Sequence, residues 1–86
     1  MLVVGDYVKV RSLRSMCNEY EKDEFGDINA PFGELNIDDD TPFHYNIKPY
    51  KIIETSFNKI LFLHNYCVDF DGQDYWLCEK ETVGRA

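Results

Sequence analysis

Basic residues are scarce in this 86-residue chain: 9 Lys and Arg stand against 16 Asp and Glu, a formal charge of −7. A surface that grips phosphate backbones needs the opposite balance, so generic nucleic-acid binding is disfavoured. Long apolar runs are also missing. Ile60 to Leu63 falls far short of the ~20 residues of a membrane span, and Met1-Leu2-Val3-Val4 meets Gly5-Asp6 too early for a signal peptide. The expectation is a whole chain acting in the cytoplasm, without a membrane. Cysteines are few and odd in number: Cys17, Cys67 and Cys78 include no close pair, which argues against a disulfide-stapled scaffold and for reduced thiols. No Asn-x-Ser/Thr acceptor occurs. The five glycines never cluster and no Gly-Lys-Ser/Thr follows one, which excludes a phosphate loop. Length is limiting as well, since chains usually divide at roughly 100–200 residues per domain and this one has room for one core only. Its 44 % apolar content is above that of disordered chains, so that core should form.

The acidity that is present has an address. Residues 19–40 hold Glu19, Glu21, Asp23, Glu24, Asp27, Glu34, Asp38, Asp39 and Asp40 against the single base Lys22, a local charge of −8. The rest of the chain sums to +1. Segments this acidic tend to be solvated loops, although Phe25, Ile28, Phe32, Leu35 and Ile37 are spaced to anchor this one to a core.

Periodicity divides the remainder. In Gly5 to Arg11, Val8 and Val10 alternate with Tyr7, Lys9 and Arg11, which predicts a first strand. Leu13, Met16, Cys17 and Tyr20 then form one stripe of a short helix with Ser12 as N-cap, ending near Glu21. Residues 22–49 contain Gly26, Gly33, Pro31, Pro42 and Pro49 without sustained periodicity and read as a long irregular acidic insert. Tyr50 to Thr55, a turn at Ser56 to Lys59, and Ile60 to Leu63 predict a hairpin. Asp71-Gly72 between Tyr66–Phe70 and Gln73–Cys78 predicts a second one with a two-residue turn. That turn sets Phe70 opposite Gln73, Val68 opposite Tyr75 and Tyr66 opposite Leu77. Tyr66, Val68, Phe70, Tyr75 and Leu77 then face the core, and Cys67, Asp69, Asp74, Trp76 and Cys78 face away.

One strand, a long excursion and four closely spaced strands predict a mainly β fold: a small five-stranded antiparallel SH3-like barrel with one short helix and a long acidic loop after the first strand. A two-layer α+β arrangement is the alternative. Gly5-Asp6-Tyr7-Val8-Lys9-Val10-Arg11-Ser12-Leu13, the Met16 to Tyr20 helix and the late Asp71-Gly72…Tyr75-Trp76 hairpin resemble small uncharacterised SH3-like proteins of phages and mobile elements in gut bacteria. The resemblance is confined to the two ends of the chain. It implies the barrel and supplies no activity.

Candidate chemistry is thin. Cys17, Cys67, Cys78, His44 and His64 could supply zinc ligands, yet none is spaced as Cys-x₂₋₄-Cys or His-x₃₋₅-His, and only Cys67 and Cys78 share a face. Asp38-Asp39-Asp40 and Asp69-x-Asp71-Gly72-x-Asp74 could attract calcium, but the EF-hand spacing is absent and Asp71-Gly72 serves a hairpin. Cys17 beside His44 or His64 would make a nucleophile, whereas its helical stripe marks it as core. No metal, cofactor or enzymatic activity is therefore expected. The better-motivated expectation is a macromolecule-binding surface formed by Tyr7, Trp76, Glu19, Glu21, Asp23, Glu24, Asp38, Asp39 and Asp40. SH3-type barrels hold proline-rich or basic peptides in aromatic-lined grooves beside an acidic loop. The expected partner is another protein or a basic peptide. Competing readings are an acidic phage-type inhibitor that mimics nucleic acid, and a structural or assembly role.

Overall fold

The computed structural model describes residues 2–31, the backbone of 33–35, and residues 48–85. Strand β1 (Tyr7–Val10) alternates as its sequence does, with Val8 and Val10 buried and Tyr7 and Lys9 outside. Helix α1 (Leu13–Glu19) begins where the Ser12 side chain accepts a hydrogen bond from Ser15 N–H at 3.1 Å. Two turns of helix cannot stand alone in water; Met16 is fully buried, and Leu13, Cys17 and Tyr20 pack partly against the same core. The helix stops at Glu19 because Tyr20 is already extended and leads into a strand.

The acidic segment differs from the expected irregular loop as far as it is described. β2 (Glu21–Lys22), β3 (Ile28–Ala30) and β4 (Gly33–Leu35) form a three-stranded antiparallel sheet. Strands of two and three residues are too short to show a period, so their sequence reads as loop. Their first turn is built by Asp23, whose Oδ1 accepts from Phe25 N–H at 2.8 Å and from Asp27 N–H at 3.0 Å. Gly26 supplies the left-handed backbone there, φ +85°. Ile28 is buried and ties this small sheet to the main core.

The main sheet comprises β1, β5 (Tyr50–Asn58), β6 (Leu63–Phe70), β7 (Gln73–Cys78) and β8 (Thr82–Arg85), all antiparallel in the order β7-β6-β5-β1-β8. The number of strands matches expectation but their identities do not. Ile60 to Leu63 is no separate strand: β5 runs on to Asn58 and β6 begins at Leu63, since the Asn58 side chain ends the strand by accepting from Ile60 N–H (2.9 Å) and Leu61 N–H (3.0 Å). The fifth strand is β8, which follows a 3₁₀ turn at Glu79–Glu81. The second hairpin has the predicted register, with Phe70 opposite Gln73, Val68 opposite Tyr75 and Tyr66 opposite Leu77. Strands β7 and β8 are the two edges of the order. Among the described residues, then, the chain is mainly β with a five-stranded antiparallel sheet that no pairing closes into a barrel.

Val8, Val10, Met16, Ile28, Tyr50, Ile52, Tyr66, Val68, Phe70 and Leu77 make the core, with Tyr75 half-buried beside it. Cys67 and Cys78 depart from the two-face reading: they lie on the outer face yet are buried. Cys67 occupies the inner strand β6 with Glu54 and Trp76 as its cross-strand neighbours, so longer side chains flank a short one. Among the described residues, no helix is long and apolar enough to cross a membrane.

Candidate functional site

Tyr7 and Trp76 are surface residues, 49 % and 46 % exposed. They do not form one groove. Tyr7 is on β1 and Trp76 on the edge strand β7, with β5 and β6 between them. Trp76 borders a shallow depression with Ser56 and Asn65, and no described acid of the insert lines it.

The predicted acids have separate fates. Glu19 pairs with Arg11 at 3.0 Å, and hydrogen bonds from the Tyr20 hydroxyl and the Arg11 guanidinium hold its carboxyl below the usual range. Asp23 is committed to the turn it builds. Glu21 and Glu24 are exposed on the small sheet and its turn. Asp38, Asp39 and Asp40 lie outside the described residues, as does His44.

The sequence reading missed Arg11 as an organiser. Its guanidinium donates to Ser15 Oγ at 2.9 Å and to the Lys80 carbonyl at 3.0 Å, and lies 5.8 Å from the centre of the Tyr20 ring. One side chain thus fastens the helix, Tyr20 and the 3₁₀ turn together, and 14 % side-chain exposure leaves these bonds little water to compete with. Burial, followed by the neighbouring Glu19, pushes the Tyr20 phenol up, so it remains a neutral donor at physiological pH.

What Arg11 holds in place is one wall of a depression of about 320 Å³ lined by Glu19, Tyr20, Pro31, Leu61, Leu63 and Lys80. Its lining comes from the end of α1, the turn after β3, the β5–β6 loop with the start of β6, and the 3₁₀ turn. Four of its six described residues are apolar or aromatic, and one acid and one base complete the lining. Of the expected residues that are described, Glu19 alone lines it. Leu61 and Leu63 were hidden in a run read as a strand, and Tyr20 in a stripe read as helix core. Asn58 ahead of Lys59-Ile60 was the available signal, because an Asn that caps following N–H groups marks a turn.

Elsewhere, Asp69 accepts from Gly72 N–H at 2.8 Å and Asp71 pairs with Lys48 at 3.0 Å, so both serve the hairpin and its anchoring. The Cys67 and Cys78 thiols are pushed up by burial, which keeps them protonated and unreactive. Among the described residues, no three His, Cys, Asp or Glu are grouped to hold a metal ion. These features define a small mainly β domain with an apolar depression next to an acidic sheet. Comparison with protein-family models, curated proteins and solved structures finds no match to this chain.

Proposed function

We propose that this chain is a non-enzymatic binding module of SH3-like architecture, whose depression between α1 and the β5–β6 loop takes a basic, apolar-bearing segment of another protein. The pairing of the first and last strands, β1 with β8, supports the architecture, since a meander rolled into a small barrel brings those two strands together. The split then falls between β7 and β8, which are consecutive in sequence and joined by the tight turn Glu79–Glu81.

The observation that carries the functional reading is the depression itself. Tyr20, Pro31, Leu61 and Leu63 offer an apolar seat, while Glu19, Glu21 and Glu24 stand at its rim or on the adjoining small sheet. Apolar burial supplies affinity there, and the carboxylates select Lys- and Arg-bearing segments and speed their encounter. A fluorescent peptide alternating Lys or Arg with Pro or Leu should bind at low salt and lose about tenfold in affinity at high salt. Leu61→Ser should weaken binding about tenfold with the circular dichroism spectrum unchanged. Equal binding of a Glu-substituted peptide, or no effect of Leu61→Ser, would remove this reading.

A further inference from the structure

The loop joining β5 to β6 carries Lys59, Ile60, Leu61 and Phe62, and its apolar side chains point into solvent: Ile60 is 88 % exposed, Phe62 76 %, and Phe57 beside them 44 %. The loop is nonetheless fixed. Asn58 Oδ1 holds two successive N–H groups, and the Phe57 and Phe62 rings meet edge-on with centroids 6.4 Å apart. Phe62 adopts φ +54°, a left-handed backbone that is costly for a bulky residue and persists only where its surroundings enforce it. An apolar knob already ordered in the monomer loses little further entropy on contact.

Its charge is as unusual as its polarity. The knob lies within residues 55–68, the longest stretch of the chain without an Asp or Glu, and Lys59 is its one formal charge. In a chain of −7, a second copy that meets this loop finds no carboxylate on the loop itself, and Glu19, which lines the depression with Leu61, is already paired with Arg11. With Leu61 42 % exposed beside them, Phe57, Ile60 and Phe62 bring the patch to roughly 500 Å² of apolar surface, in the upper range for the largest patch of a monomer.

We infer that this knob is a self-association surface, at which two copies of the chain meet about a two-fold axis. Isologous pairing of the patch buries roughly 1,000 Å², the lower bound for a specific interface, so the dimer is weak and concentration-dependent. The two surfaces share Leu61, and salt distinguishes self-association from the peptide-binding reading, on which it does not depend. Screening relieves repulsion between two acidic copies and leaves the apolar contact intact, so the dimer tightens with salt where a basic peptide loosens.

Sedimentation velocity of the full chain across a concentration series, at low and high salt, tests this. Wild type should associate more strongly at high salt, and Ile60→Asp and Phe62→Asp should each raise the dissociation constant at least about tenfold. Val83→Asp, on the exposed edge strand β8, should leave association unchanged. A wild type that stays monomeric throughout overturns the proposal, as does association abolished by Val83→Asp but not by Ile60→Asp. A monomer that binds phosphatidylcholine vesicles through Phe62 would also overturn it, with a lipid surface as the occupant. Each of these failures leaves the Leu61→Ser peptide experiment standing.

Discussion

Glu81 shows how far one side chain can depart from its type. It is buried, its carboxylate accepts from Cys78 N–H at 3.1 Å, and burial pushes its pKa from 4.5 up to about 7, more than that backbone donor can lower it. The folded state therefore holds this proton more tightly than the unfolded chain. The resulting stability is full below the ordinary carboxyl value, declines as pH rises from about 4.5 to about 7, and is lost above that range. Glu81→Gln keeps an acceptor for Cys78 N–H and removes the ionisation. Urea unfolding should show the variant equal to wild type near pH 4 and more stable at pH 8, by up to about 3 kcal/mol. A difference that does not grow with pH would mean that the site admits water.

Among the elements, those built from local signals were legible and those built from distant partners were not. The helix could be read because Ser12, Leu13, Met16 and Cys17 lie within two turns, and the β6–β7 hairpin because Asp71-Gly72 fixes its register without help from elsewhere. The three strands of the acidic sheet could not, since each is held by its neighbours and by Asp23 instead of by its own composition. Strand β8 escaped for the same reason: Thr82-Val83-Gly84-Arg85 is extended because β1 pairs with it. The candidate site inherits this limit. Its depression joins four elements, so Tyr20, Leu61 and Lys80 become neighbours only after the sheet is assembled. The N-cap is the simplest element-level check. Ser12→Ala removes the acceptor for Ser15 N–H and should cost about 1 kcal/mol in urea unfolding, while Ser12→Asp should retain most of it.

At the scale of the whole molecule, the described residues form one core, built by β1, α1, β3, β5, β6 and β7. Ile52 sits near its middle, fully buried on β5 between β1 and β6, with its N–H bonded to the Asp6 carbonyl. Ile52→Ala should destabilise by about 2–5 kcal/mol, a large share of what a domain of this size holds in reserve. The main and small sheets should then unfold together in one urea transition, because Ile28 joins them; separate midpoints would show that the acidic sheet is held only locally. The placement of β1 has a further consequence in time. Strands β5, β6 and β7 are hairpin neighbours and can zip as soon as their turns form. β1 must wait for partners far along the chain, Val8 standing opposite Tyr50 on one side and Arg85 on the other. Closing those long loops is the slow part of folding, so the strand that opens the sequence should be the last to be secured in the sheet.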